Sequence, residues 1–167
     1  MDSQYVKGHK IRRKKPQYLL TTDASTTGWG AVLRDMAYLR VLGRKSGKWS
    51  RRRLTKEMTQ LEGQATLNAI YAFADKLKGK SVLIKTDNSG LMFYLNRLGG
   101  RRENLQGLMN QVLNEIHRQR IRIVAEWIPS LDNEADWLSR CSDPREEGRL
   151  KKEMLSVQGF VITIPFY

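Results

Sequence analysis

Cysteine is almost absent from the 167-residue chain, where Cys141 stands alone. A single thiol excludes an internal disulfide framework and any zinc site built from several cysteines, and it suits a reducing compartment. No apolar run approaches the roughly 18–20 residues that span a bilayer. The opening MDSQYVKGHK has no apolar centre, so no secretory signal is expected. Asp2 and the lack of an amphipathic Arg/Ser pattern speak, less strongly, against an organelle transit peptide. An intracellular location, cytoplasmic or nuclear, is expected, with an organelle left open. Acidic residues are the other shortage: 17 Asp and Glu face 30 Lys and Arg, a net charge of +13. What remains is ordinary for one globular domain, with 40% hydrophobic residues, enough to bury a core without staples.

The excess charge predicts a polyanionic partner, of which nucleic acid is the commonest; the plainer alternative is a soluble basic protein. Its distribution favours the former. Lys7, Lys10, Arg12, Arg13, Lys14 and Lys15 form a basic leader. A second cluster runs from Arg44 and Lys45 through Lys48 to Arg51, Arg52, Arg53 and Lys56, interrupted by Trp49. Arg97, Arg101 and Arg102 flank Gly99-Gly100.

Residues 1–16 read as a disordered basic arm, residues 17–140 as one domain, and residues 141–167 as an extension. Short β-rich runs at Tyr18–Thr22, Trp29–Leu33 and Ala37–Leu42 predict an antiparallel meander, followed by a basic loop over Gly43–Gly47. Leu54, Met58, Leu61, Ala65, Ala69 and Ala72 recur at helical spacing, and that helix is expected to stop near Lys78-Gly79. Then come a strand over Ser81–Thr86, a helix over Asn88–Leu98, and a helix marked by Leu105, Leu108, Met109, Val112, Leu113 and Ile116. A strand over Ile121–Trp127 and a helix over Asn133–Arg140 complete the order βββαβααβα, an α/β (α+β) mixed sheet flanked by helices.

Asp23 and Asp87 end strands, Glu62 lies in the first long helix, and Asp136 lies near the start of the last. If the first, fourth and fifth strands are neighbours, these acids converge. Clustered carboxylates repel unless cations neutralise them, and hard oxygen ligands with open positions suit Mg²⁺ or Mn²⁺. Two such ions can activate water and stabilise a leaving oxygen in phosphodiester hydrolysis. Each acid also has a structural alternative. Asp23 and Asp87 can be turn residues, Glu62 can close a capping box with Thr59, and Asp136 can stabilise a helix N-terminus. Glu57 is the rival helical ligand, but it stands about 140° around the helix from Glu62.

YLLTTDASTTGWGAVL resembles the opening strand of ribonuclease H domains, with Asp23 at the first metal-ligand position. TQLEGQATLNAI is similar to that family's first long helix, with Glu62 as the second acid. VLIKTDNSGLMFYLN resembles its TD[NS] step, with Asp87 as the third, and IPSLDNEADWLSR its terminal N-x-x-D segment, with Asp136 as the fourth. Within the family the chain is most similar to domains fused to retroelement reverse transcriptases, of the DIRS-type tyrosine-recombinase retrotransposons, and also to hepadnaviral polymerase C-terminal domains. The resemblance covers roughly Tyr18–Arg140. It implies a five-stranded mixed sheet in the order 3-2-1-4-5, two Mg²⁺ or Mn²⁺ ions on the four acids, and hydrolysis of the RNA strand of an RNA–DNA hybrid.

Two departures stand out. The loop Pro129-Ser130-Leu131-Asp132 lacks the mobile histidine of cellular ribonucleases H, since the only histidines are His9 and His117. Only Gly99–Arg102 occupies the place of the basic hybrid-binding insertion of many members. Candidate substrate contacts are Ser25, Thr26 and Asn88 near the acids, and Lys48, Arg51, Arg101 and Arg102 further out. Trp49 is a candidate for stacking or for core, while Trp29, Trp127 and Trp137 are expected to be structural. Besides an active nuclease, the sequence admits a retired ribonuclease H fold that binds nucleic acid in a ribonucleoprotein, or a DNA-cutting relative. The uncharged GFVITIPFY near the C-terminus is expected to be covered, preferably by a partner or a parent polyprotein.

Overall fold

A computed structural model describes residues 15–50, 57–97 and 103–140, with the side chains of helix α4 described from residue 107 onward. Residues 1–14 of the leading arm, Arg51, Arg101, Arg102 and the extension 141–167 lie outside the described residues. The element order is β1 (Tyr18–Ala24), β2 (Gly28–Asp35), β3 (Val41–Lys48), α1 (Met58–Ala72), α2 (Ala74–Leu77), β4 (Ser81–Thr86), α3 (Ser89–Arg97), α4 (Glu103–Arg118), β5 (Arg122–Trp127) and α5 (Asp136–Ser139). A 3₁₀ turn over Ser130–Asp132 precedes α5. The strands form one sheet in the order β3-β2-β1-β4-β5. β1 runs antiparallel to β2 and parallel to β4, and β4 runs parallel to β5. This is the expected ribonuclease H-like mixed sheet. Among the described residues no helix is long and apolar enough to cross a membrane.

The third strand lies further along than expected. Residues 36–40 turn, and the polar stretch read as a basic loop is β3 itself, pairing Lys48 with Gly28 and Arg44 with Val32. Its glycines mark close packing, since a Cβ at Gly43 would meet the Phe73 ring at 2.7 Å and one at Gly47 would strike the Trp29 indole. The long helix is also shorter than expected, breaking at Phe73 before the single turn of α2.

The main core lies between the sheet and α1, α3 and α4, with Leu20, Trp29, Leu33, Ile70, Leu77, Ile84, Leu91 and Leu95 fully buried. Helix α1 is buried on most of its circumference, from Leu61 through Leu67, and this is what carries Glu62 into the interior. On the opposite face α5 packs Ala135 and Leu138 against Val32.

Candidate metal centre

β1 and β4 are parallel neighbours in register, with Thr21 beside Lys85, so their C-terminal ends finish level. That brings Asp23 and Asp87 together, and α1 crosses behind them to supply Glu62. One carboxylate oxygen from each of the three lies within 4.8 Å of the others. Asp23 and Glu62 are buried, and Asp87 is partly buried.

Donors are too few for so much negative charge. Oε1 of Glu62 accepts the Ala24 N–H at 3.2 Å, whereas its buried Oε2 has no hydrogen-bond partner. Asp23 accepts the Ser139 hydroxyl at 2.7 Å and the Asn133 amide at 3.3 Å. Burial, followed by the charges of Asp23 and Asp87 and by direct contact with the Asp87 carboxyl, pushes the Glu62 carboxyl up to about 9, against the pull of the Ala24 N–H. Burial likewise pushes Asp23 up to about 7; Asp87 and Asp136 add to this, while the Ser139 hydroxyl and Arg140 oppose it. A carboxyl oxygen buried without a donor, beside two more carboxyls, fits a hard divalent cation.

The fourth acid does not join them. Asp136 opens α5 and turns its Oδ1 to the Arg140 guanidinium at 3.2 Å, an i,i+4 pair. Its charge is felt at Asp23, but three carboxylates converge, not four. The last helix is correspondingly brief: Asn133 and Glu134 precede it, and α5 spans only Asp136–Ser139. The capping-box reading of Glu62 also fails. It lies inside α1, whose N-cap is Glu57, and the Thr59 hydroxyl instead accepts the Asn88 amide at 3.2 Å.

Two residues that sequence reasoning passed over hold the centre in place. Asn133 donates to the Thr22 carbonyl at 3.0 Å and to Asp23, and Ser139 reaches Asp23 from α5. Both were visible in N-x-AD-x-LSR, but nothing in that pattern says which acid they serve. Gly30 makes their approach possible. It sits opposite Asp23 in the β1–β2 ladder, and a Cβ there would lie 2.5 Å from Leu138 Cβ and 2.7 Å from the Ser139 nitrogen.

The expected substrate contacts divide. Thr26 is exposed at the tip of the β1–β2 hairpin, and Lys48 is exposed at the same end of the sheet. Ser25 is occupied otherwise: its hydroxyl lies 2.7 Å from the Ser139 carbonyl and accepts the N–H groups of Thr27 and Gly28. Asn88 caps α3, accepting the Leu91 N–H at 2.8 Å. Trp49 is core, buried with its indole N–H on the Ser25 carbonyl at 2.8 Å. Trp29 is buried as expected and Trp137 is partly buried beside Val32, but Trp127 is 51% exposed. The loop without histidine carries Leu131, almost wholly exposed, in the 3₁₀ turn.

Residues 13–115 match the family described as the RNase H-like domain found in reverse transcriptase. The chain belongs to that family. The match ends before Asn133, Asp136 and Ser139, so the α5 side of the centre is known from the fold alone. No curated protein matched. Among solved structures, this RNase H-like domain is similar to RNase H1 from the halophilic archaeon Halobacterium salinarum NRC-1, with a TM-score of 0.63 and 17% identity over 75% of this chain and 96% of that one. LC11-RNase H1, solved in complex with an RNA/DNA hybrid, gives a TM-score of 0.60 and 19% identity over 72% and 92%. The prototype foamy virus protease-reverse transcriptase gives 0.50 and 16% over 91% of this chain and 22% of that chain. At these identities the likeness is one of fold.

Proposed function

We propose that the chain is an active ribonuclease H that hydrolyses the RNA strand of RNA–DNA hybrids, and that it derives from or forms part of a retroelement reverse transcriptase. The observation that carries this reading is the buried, donor-starved convergence of Glu62 with Asp23 and Asp87. A scaffold has no use for it. Asp23, Glu62 and Asp87 would hold two Mg²⁺ or Mn²⁺ ions, with Asp136 as the fourth acid once released from Arg140. The ions would supply activated water and charge neutralisation at a phosphodiester.

The chain's own residues then have separable tasks. Ser139 and Asn133 orient Asp23, and the Ala24 N–H fixes one oxygen of Glu62 while leaving the other directed inward. Thr26 and Lys48, exposed at the same end of the sheet, are placed to meet the backbone of a bound duplex, with Arg51, Arg101 and Arg102 as further cations. In this reading residues 17–140 form the nuclease domain. The basic arm 1–16 adds phosphate contacts, and residues 141–167 dock onto a parent polypeptide or ribonucleoprotein.

The test is incubation with Mg²⁺ and labelled RNA–DNA hybrid, duplex DNA and a four-way junction, each with the native protein and with Asp87→Asn. Cleavage confined to the hybrid's RNA strand, and lost in Asp87→Asn with binding kept, is the expected result. Hybrid binding without cleavage by the native protein would move the assignment to a nucleic-acid-binding subunit.

A further inference from the structure

Trp127 is the last residue of β5 and stands apart from the buried Trp29 and Trp49. Isolated exposed apolar residues are common, so exposure alone means nothing. Its place and its fixing are informative. Trp127 is paired with Thr86, the residue before Asp87, so it lies one residue short of the level at which β1 and β4 deliver Asp23 and Asp87. The indole therefore starts one strand spacing, about 4.8 Å, from the backbone that carries an acid of the metal centre. Its single polar atom is already satisfied, since Nε1–H donates to the Asp87 carbonyl at 3.0 Å. With that tip fixed, what is left in water is apolar ring.

The flank beyond it is built to stay open to something other than a strand. The Asn96 side chain takes both the N–H and the carbonyl of Ala125, at 2.8 and 2.9 Å, which closes the free edge of β5 against strand addition. One turn earlier on α3, which packs against β5, Phe93 is 54% exposed with the Arg97 guanidinium 5.6 Å from its ring centre. Aromatic faces with a cation beside them suit a sugar–phosphate backbone, whose sugars present apolar faces between charged phosphates. In a hybrid duplex the bases are stacked on each other, and the groove edge offers sugars and 2′-hydroxyls.

We infer that Trp127 is a substrate-positioning residue whose indole packs against a sugar of the bound hybrid, within a nucleotide or two of the phosphate at Asp23, Glu62 and Asp87. Phe93 and Arg97 continue that track along α3. The inference rests on the nuclease reading for the identity of the ligand, and its test separates the two. Trp127→Phe keeps a ring but removes the N–H bond to Asp87; Trp127→Ala removes both.

Packing on a sugar predicts a KM about tenfold higher for Trp127→Ala, on the order of what re-exposing part of an indole face costs. It also predicts kcat near native, a shifted ladder of cleavage positions, and near-native values for Trp127→Phe. A role confined to holding Asp87 would instead lower kcat equally in both variants, and that result would overturn the inference. Binding is measured separately, by tryptophan emission on adding hybrid in the presence of a chelator. The native protein should be quenched and Trp127→Phe much less so, which holds whether or not Trp127→Ala folds. Equal quenching of native and Trp127→Phe would overturn the inference while leaving any cleavage activity intact. Quenching at Trp127 in a protein that cleaves nothing would keep the inference and remove the nuclease reading.

Discussion

Asp23 and Asp35 lie on neighbouring strands at opposite ends of the sheet, and the fold treats their charges in opposite ways. Asp35 closes the β2–β3 hairpin. It accepts the N–H of Tyr38 at 2.7 Å and of Arg40 at 3.1 Å and pairs with the Arg40 guanidinium at 3.4 Å. The backbone N–H of Tyr38, with Arg40 beside it, holds its carboxyl below the usual range. Asp23 has a hydroxyl and an amide, but burial and neighbouring acids outweigh them and raise it to about 7. An aspartate that builds a turn is surrounded by donors. One set among other buried acids is left short of them.

The largest effect expected from this contrast is at Glu62. Glu62→Gln keeps the shape and removes the charge, so hydrolysis of hybrid should fall by about two orders of magnitude or more. Metal-free stability at pH 9–10 should rise in the same variant, because a buried carboxylate no longer has to ionise. Hydrolysis rates and melting curves on one preparation check both, and a variant that loses stability at high pH as the native protein does would contradict the charge argument.

Next comes pH. Asp23 and Glu62 have folded values raised above 3.8 and 4.5, to about 7 and about 9. Their contribution is therefore fully present below pH 4 and is lost as pH rises through the folded values. Metal-free Tm should carry a falling component between about pH 4 and pH 9, and added Mg²⁺ or Mn²⁺ should stabilise much more at pH 8.5 than at pH 5.5. A metal-induced shift in Tm independent of pH would separate ion binding from these acids.

Gly30→Ala probes the same end through packing. The added methyl meets Leu138 and the α5 backbone, an overpacking that should cost about 1–3 kcal/mol and loosen the Ser139–Asp23 contact. Chemical denaturation gives the first quantity and hydrolysis the second. A neutral Gly30→Ala would show that α5 yields easily.

The smallest effect belongs to the other end. Asp35→Asn should lower Tm at pH 7 and lose that deficit progressively as pH falls below 4, because a depressed carboxyl stabilises fully above its unfolded value and loses that contribution as pH falls through the folded one. Hydrolysis should be unchanged, and a loss comparable with that of Glu62→Gln would erase the distinction between the two ends.

The order of elements is legible from periodicity, whereas the sheet order and the convergence of Asp23, Glu62 and Asp87 are what the resemblance to ribonuclease H domains implies, since position alone leaves each acid a structural alternative. β3 was misread because Gly-Arg-Lys-Ser-Gly carries no apolar alternation. An edge strand needs little, and its glycines are explained only by Phe73 and Trp29, distant in sequence. Asp136 belongs to the four-acid set by resemblance, and sequence gives its position without its orientation; a four-residue helix lets it face Arg140. Trp127 was read as structural from its composition alone. Its exposure and its N–H bond to the Asp87 carbonyl, 40 residues away, lie beyond what residue type shows.

β1 has a partner running against it on one side and a partner running with it on the other. Both β1 and β4 end at the same edge of the sheet, one turning at once into the tight β1–β2 hairpin and the other passing into α3, so the two chain exits lie side by side. Asp23 comes to stand beside Asp87 by virtue of that wiring, before any loop sequence is chosen. Lengthening the β2–β3 hairpin, at the opposite end of the sheet, should therefore leave the three converging acids undisplaced.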